Sequence, residues 1–166
     1  MKIPKEQYYE ELRDRDRESL DFILDVFQRY GLSVTARGSS VARSVNKLVN
    51  ANYSDIDLLA VGDVRRYFAV LRELRSDPAN IRFSSTNATE GYMETLVVGR
   101  TDFLVNGTLF DICFANDSEK LYSSYEGVGI NMDEYPECEL VVGSQSESKT
   151  VKRFNGVPTD LRNGNL

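Results

Sequence analysis

The sequence contains no histidine, and this absence removes several kinds of chemistry at once. Histidine is the usual general acid–base of enzymes, the base of serine and cysteine triads, and a frequent metal ligand. Without it, a reaction on this chain would have to use carboxylates, hydroxyls, lysine, arginine or a bound metal. Acidic side chains are therefore the first place where chemistry is expected.

Cysteine is also scarce. Cys113 and Cys138 are the two in the chain and share no short spacing, so neither a zinc site nor a redox motif is predicted. Two free thiols are typical of a reducing compartment. Residues 1–6 are too polar for a secretory signal. We therefore expect a cytoplasmic protein.

Long apolar runs and an excess of positive charge are both missing. No run of about 18 apolar residues occurs, so we expect no membrane-spanning helix and no membrane partner. The formal net charge is −6, with 26 acidic residues against 20 lysines and arginines. Such a protein has no overall positive field to attract nucleic acid. A nucleic-acid partner would need a local basic patch or a second protein.

What the chain does contain is enough apolar material for one folded domain. Its 166 residues are 41% hydrophobic and include nine tyrosines and eight phenylalanines. This length fits a single core. We expect an ordered domain over residues 1–143, and a mobile polar tail over the Ser-, Asn- and Gly-rich residues 144–166.

Hydrophobic periodicity predicts both helices and strands in this domain. Gly31 is a typical helix stop, and Asp63 is a typical helix cap. The predicted helices cover residues 4–30, 40–50, 63–75 and 117–125. The predicted strands cover residues 32–36, 55–61, 81–84 and 93–98, followed by a hairpin with Asn106-Gly107 as its two-residue turn.

Two acids stand close together on one predicted strand. Asp55 and Asp57 are at positions i and i+2, so their side chains point to the same face, while Ile56 and Leu58 face the core. Neighbouring carboxylates repel each other, and a protein tolerates them mainly where a cation neutralises them. This pair therefore predicts a site for Mg²⁺, a hard cation that prefers oxygen ligands.

A third acid lies on the strand that follows the hairpin turn. Asp111 stands between the apolar Phe110 and Ile112, and a two-residue turn pairs it with Asp102 across the hairpin. Three converging carboxylates predict a two-metal phosphoryl-transfer site. In such a site Asp111 would ligate the second ion and accept a proton from the attacking hydroxyl. Asp102 would be either an accessory carboxylate or an ordinary surface acid.

The Gly38-Ser39 pair lies between a predicted strand and a predicted helix. Such a turn presents backbone N–H groups and a hydroxyl to a phosphate, although capping of the helix is its ordinary explanation. Ser40 could add a further donor. Arg37 and Arg43 flank the turn and would either hold a triphosphate or lie solvated on the surface.

These segments together resemble the signature of a known superfamily. Gly38-Ser39, then Asp55-Ile56-Asp57-Leu58, then Phe110-Asp111-Ile112, are similar in order and strand context to the polymerase-β-like nucleotidyltransferases, as in a minimal, single-domain member. The resemblance implies an α/β (α+β) fold with a mixed β-sheet and helices packed mainly on one face.

The resemblance also implies an activity. A nucleoside monophosphate would be transferred from a nucleoside triphosphate, ATP by default, to a hydroxyl, with release of pyrophosphate and with Mg²⁺ as cofactor or Mn²⁺ as its substitute. Asp55, Asp57 and Asp111 would be the catalytic metal ligands. Gly38 and Ser39 would bind phosphate. The acceptor is left open among an RNA 3′ end, a protein and a small molecule.

The larger members of the superfamily carry a helical domain that grips the base and the acceptor. Nothing after Asp133 has helical periodicity here. The chain would then be a minimal member, the catalytic part of a longer protein, or one partner of a complex in which another protein supplies a helical surface. Two other functions stay open: a non-catalytic nucleotide-binding or regulatory module, and a two-metal nuclease.

Overall fold

The computed structural model describes residues 1–46, 53–88 and 97–143, and for residues 84–88 and 97–98 it describes the backbone alone. The predicted tail over residues 144–166 lies outside this part of the chain, as do the ends of two predicted elements, residues 47–50 and 93–96. The described residues form an α+β fold with a mixed β-sheet, as predicted.

The sheet has six strands in the order β3-β4-β5-β2-β1-β6. Only β2 and β5 pair in parallel among the described strands, and the other neighbours are antiparallel. The strands are β1 Ser33–Arg37, β2 Ile56–Val61, β3 Ile81–Ala88, β4 Val97–Val105, β5 Thr108–Ala115 and β6 Cys138–Val141.

Four helices contribute buried side chains to one core on one face of this sheet. A fifth packs on the opposite face, where Leu121 meets Leu59 and Ala115. In chain order the helices are α1 Lys5–Glu10, α2 Asp14–Arg29, α3 Ser39–Val45, α4 Val64–Arg75 and α5 Ser118–Gly127, followed by a 3₁₀ turn at Met132–Glu134.

The alternation of side chains along β2 and β5 separates core from site. Ile56, Leu58, Phe110 and Ile112 all point into the main core and are almost completely buried. Full burial of such a side chain contributes about 1.5–3 kcal/mol. Because side chains alternate along a strand, the residues between them face the other side of the sheet, which the core helices leave open.

The hairpin between β4 and β5 follows its predicted geometry. Asn106 and Gly107 have positive φ angles of 48° and 89°, as a type I′ turn requires. Val105 pairs with Thr108, and Asp102 pairs with Asp111.

The predicted cap of α4 is also confirmed, since the Asp63 side chain accepts a hydrogen bond from the backbone N–H of Arg65.

The prediction of one helix over residues 4–30 is wrong. The chain forms α1 and α2 with a break between them, where Arg13 is extended. The Arg13 backbone N–H donates to the Tyr53 hydroxyl at 3.1 Å, and its guanidinium donates to the Tyr53 carbonyl at 2.7 Å. These contacts with a distant residue replace the bonds that a continuous helix would make.

The helix predicted over residues 40–50 is shorter than expected in the described residues. It runs from Ser39 to Val45, and Asn46 after it is extended.

Among the described residues, no helix combines the length and the apolar character needed to cross a bilayer.

Candidate metal centre

A row of charged side chains crosses four strands on the face opposite the main core. Arg37 on β1 pairs with Asp57 on β2, Asp57 with Asp111 on β5, and Asp111 with Asp102 on β4. The row follows from strand register alone, because residues paired across a sheet point to the same side. The register therefore gathers three acids, with an arginine at one end of the row.

Asp55 completes the acidic cluster from the residue before β2. One carboxylate oxygen each from Asp55, Asp57 and Asp111 lies within 4.8 Å of the others, and all three residues are partly buried. Oxygen donors at this spacing suit a hard divalent cation, which would neutralise their repulsion. The donor set therefore fits a divalent metal ion.

The electrostatics of Asp57 show how unfavourable the cluster is without a cation. Burial raises the pKa of Asp57 to about 6, and the negative charges of Asp55 and Asp111 contribute to the increase. The positive charges of Arg100 and Arg37 act in the opposite direction without cancelling it. A carboxyl group in these surroundings gains from any cation that binds beside it.

Arg100 is a member of the site that the sequence analysis missed. Its Nε donates to Asp111 Oδ1 at 2.8 Å, and its Nη2 donates to Asp111 Oδ2, so that the guanidinium holds both carboxylate oxygens. Its Nε also lies 3.9 Å from Asp102 Oδ1. The hairpin register could have indicated it, because Arg100 is two residues before Asp102 on the same face.

Gly38 lies directly against Asp57. Its φ is +79°, and a Cβ atom at this position would stand 2.2 Å from Asp57 Oδ2. Both the backbone conformation and the space therefore require glycine here. This close approach places the start of α3, with Ser39 as its first residue, beside the acidic cluster.

Of the other three predicted phosphate-binding residues, Arg37 lies on the site face, whereas the side chains of Ser40 and Arg43 make contacts elsewhere. Arg37 lies on the site face, with its guanidinium 5.9 Å from the ring centre of Tyr125 on α5. Ser40 is buried, and its hydroxyl shares a 2.9 Å hydrogen bond with the hydroxyl of Tyr8. Ser40 could thus reach a phosphate only through its backbone N–H. Arg43 points towards Glu11, with 3.8 Å between Nε and Oε2.

A cavity of about 370 Å³ opens on the same face of the sheet, beside α5. Its lining includes Thr35 and Leu59. These two residues pair across β1 and β2, two positions along the strands from the pair formed by Arg37 and Asp57. The three acids are not part of that lining. The cavity therefore shares a sheet face with the acidic cluster, but its lining is separate from the three acids.

Comparison with known proteins gives one distant structural likeness. No protein-family model matches the chain, and no curated protein matches it. In structure it is similar to a CCA-adding enzyme in complex with ATP, with a TM-score of 0.41 and 12% sequence identity. The match covers 75% of this chain but 26% of that enzyme. A likeness at this level is too low to support an argument about function.

Proposed function

We propose that the chain is a nucleotidyltransferase that depends on a divalent metal ion. It would transfer a nucleoside monophosphate from a nucleoside triphosphate to a hydroxyl acceptor and release pyrophosphate. The observation that carries the proposal is the convergence of Asp55, Asp57 and Asp111 within 4.8 Å, on the open face of a mixed sheet. The order of the Gly-Ser turn and the three acids along the sequence supports this reaction over other uses of a metal site.

The three acids would have different roles in this reaction. Asp55 and Asp57 would hold the triphosphate through bound ions, and Asp111 would accept the proton of the attacking hydroxyl. Bound Mg²⁺ or Mn²⁺ would supply Lewis-acid stabilisation of the phosphate charge. A bond forms from the acceptor oxygen to the α-phosphorus, and the bond from that phosphorus to the bridging oxygen breaks, so that pyrophosphate leaves.

The residues around the acids would position the triphosphate. Gly38 allows the chain to pass beside Asp57, so the backbone and hydroxyl of Ser39 would lie near the phosphates of a bound nucleotide. Arg37 pairs with Asp57 across the sheet and would contribute positive charge at that edge. We take ATP as the default nucleotide, the domain as residues 1–143, and the acceptor as an RNA 3′ end, a protein or a small molecule. A partner protein would supply any further surface that grips the acceptor.

One observation favours a second candidate function. The guanidinium of Arg100 holds both oxygens of Asp111, the residue that would ligate the second ion. A site kept in this state would bind nucleotide without turning it over. The chain would then be a nucleotide-binding or regulatory module without catalytic activity, because Arg100 would keep Asp111 from the second ion.

The test is pyrophosphate release with Mg²⁺ or Mn²⁺, each of the four nucleoside triphosphates, and mixed RNA and cell-lysate acceptors. We expect release by the wild type, and a loss of at least about a hundredfold in Asp57→Asn and in Asp111→Asn, since removal of outer partners alone costs 10–100-fold. Asp25→Asn is the matched control, because Asp25 is an exposed acid on α2.

The outcomes separate the two functions. Release that is unaffected by Asp57→Asn would exclude the acidic cluster as the catalytic site. Binding of a nucleotide without release, seen as a rise in melting temperature that Asp57→Asn abolishes, would favour the binding module.

A further inference from the structure

We propose that Arg100 is a positioning residue that occupies Asp111 until a divalent cation binds there, and that it then moves to Asp102. The inference rests on the proposed function, in which Asp111 ligates the second of two metal ions. It goes beyond that function by assigning a role to the positively charged side chain of Arg100. It also proposes an order of events, in which Arg100 leaves Asp111 as the metal ion binds.

The contact between Arg100 and Asp111 competes directly with a metal ion. Nε and Nη2 of Arg100 donate to Oδ1 and Oδ2 of Asp111, so both oxygens already have a charged donor. An arginine stays protonated at any physiological pH and cannot leave by losing its charge. The guanidinium charge therefore opposes metal binding at Asp111, and a bond from Asp111 to a metal ion is favoured when the guanidinium moves away.

The exposure of the two side chains shows which one can move. The side chain of Arg100 is 48% exposed, whereas that of Asp111 is 12% exposed. Asp111 is fixed on β5 between Phe110 and Ile112, both of which are fully buried. An exposed arginine can leave an ion pair more readily than a buried one, because water solvates the released charge. Arg100 is thus the mobile member of the pair.

Asp102 is a second carboxylate within the site to which the displaced guanidinium of Arg100 would bind. It faces Asp111 across the hairpin, and its Oδ1 already lies 3.9 Å from Arg100 Nε. A small rotation of the arginine would bring it into hydrogen-bond range of Asp102. The positive charge would then stay on the site face, while Asp111 is released to the metal.

The inference is tested by Mn²⁺ binding in the absence of nucleotide, measured by calorimetry and by the electron paramagnetic resonance signal of free Mn²⁺. In Arg100→Ala we expect the weaker of two Mn²⁺ sites to tighten about tenfold, an energy of about 1.4 kcal/mol. In Arg100→Lys we expect a smaller increase in affinity, because an ammonium group cannot hold both oxygens as a guanidinium does.

Two further variants separate competition from a general effect of charge. Arg82 is an exposed arginine that pairs with Leu104 and so lies on the same sheet face. Arg82→Ala removes the same charge without touching Asp111, and we expect Mn²⁺ affinity to change less than twofold. Asp102→Asn should weaken the second site, since Arg100 then has no second carboxylate to move to.

The double variant Arg100→Ala/Asp102→Asn decides the role of Asp102. If Asp102 acts only through Arg100, the double variant binds Mn²⁺ as tightly as Arg100→Ala, because the two effects are coupled. A double variant that binds more weakly than Arg100→Ala would make Asp102 a metal ligand and overturn its role here.

Other results would overturn the inference as a whole. These are unchanged Mn²⁺ affinity in Arg100→Ala, an equal gain in Arg82→Ala, or wild-type affinity in Arg100→Lys. Thermal unfolding in EDTA establishes that each variant is folded, and Arg100→Gln replaces Arg100→Ala if the latter is not. Failure of the proposed metal site itself is distinguished by Asp57→Asn, which would then leave Mn²⁺ binding unchanged.

Discussion

At the scale of single residues, Gly38 shows how one position serves both the fold and the site. We expect Gly38→Ala to destabilise the protein by roughly 1–3 kcal/mol, because its positive φ disfavours any side chain. The new Cβ would also push against Asp57 Oδ2, so Mn²⁺ binding should fall by more than the loss of stability explains. Urea unfolding and calorimetry measure the two effects separately.

Gly127 provides the control for this substitution. It is the last residue of α5, and a Cβ added there meets no atom within 4 Å. Alanine is favoured over glycine in a helix by up to about 1 kcal/mol. Gly127→Ala should therefore be neutral or stabilising and leave metal binding unchanged. Equal losses in both variants would show that Gly38 has no special relation to Asp57.

Asp16 is a second residue whose role depends on its contacts. It is 1% exposed, and it accepts hydrogen bonds from the hydroxyls of Tyr53 and Thr108, the latter at 2.7 Å. Asp16→Ala would leave both hydroxyls buried without this partner. We expect it to lower the free energy of unfolding by about 2–4 kcal/mol, measured by urea titration at pH 7.

The pH dependence of stability gives an independent check on Asp16. Burial alone would raise its pKa, but the hydrogen bonds from Tyr53 and Thr108, with the charges of Arg15 and Arg13, hold the pKa below its usual value. The folded state therefore binds this proton less tightly than the unfolded state, so the stabilisation is present above about pH 4 and is lost as the pH falls further.

The neighbouring Asp14 supplies the control. It begins the same helix, but its side chain is 90% exposed. Asp14→Ala should change stability by about 0.5 kcal/mol or less and leave the acid-induced loss intact. A cost as large as that of Asp16→Ala would contradict the assignment of the stabilisation to the buried carboxylate.

At the scale of elements, α3 is the short helix that begins at the Gly38 turn. Two hydrogen bonds join it to α1. The hydroxyls of Tyr8 and Ser40 share one at 2.9 Å, and Gln7 Nε2 donates the other to the Ser44 carbonyl at 2.9 Å. Tyr8→Phe removes the first contact. We expect a loss of about 1 kcal/mol in stability and a rise in KM for the nucleoside triphosphate with little change in kcat, because α3 carries Ser39.

Tyr9→Phe is the matched variant for this prediction. It also removes one tyrosine hydroxyl of α1, which donates to Asp21 Oδ1 at 2.8 Å, but that bond joins α1 to α2. The KM for the nucleoside triphosphate should stay at its wild-type value. A similar rise in both variants would mean that general loosening of α1, and not the position of α3, affects nucleotide binding.

The elements that sequence predicts well are those fixed by local rules. The β4–β5 hairpin follows from Asn106-Gly107, and its register then places Asp102 opposite Asp111. The break between α1 and α2 depends instead on Tyr53, a residue 40 positions from Arg13. No periodicity near the break could show it.

The same distinction applies to the site. Strand alternation was enough to predict that Asp55, Asp57 and Asp111 share a face, because each lies on or beside a strong apolar strand. Arg100 was missed because the start of its strand is weakly marked in the sequence. The inward position of Ser40 was missed because it depends on the packing of Tyr8 from another helix.

At the scale of the whole molecule, the acidic cluster should make stability depend on the metal. Without a cation, Asp57 is a half-buried carboxyl group that faces two others, and its pKa is raised to about 6. In EDTA at pH 7.5 we therefore expect Asp57→Asn to be more stable than the wild type, by roughly 1 kcal/mol once solvent screening is allowed for. Chemical unfolding of the two proteins measures this difference.

The pH dependence of this difference has a definite sign. An acid with a raised pKa in the folded state binds its proton more tightly when folded, so folding is favoured by protonation. The wild type should recover stability relative to Asp57→Asn as the pH falls from above 6 towards 4. Asp25→Asn, a change to an exposed acid on α2, should show neither the gain in EDTA nor this pH dependence.

Addition of Mn²⁺ should reverse the order of the two proteins. A ligand that binds only the folded state stabilises it by about 2.7 kcal/mol at a concentration one hundred times its Kd. The wild type gains this stabilisation, whereas Asp57→Asn has lost a ligand and gains less. A variant that stays more stable than the wild type at saturating Mn²⁺ would show that the three acids do not form a metal site. Reversal of the order would tie the electrostatic cost of the cluster in the free protein to the binding of a divalent cation.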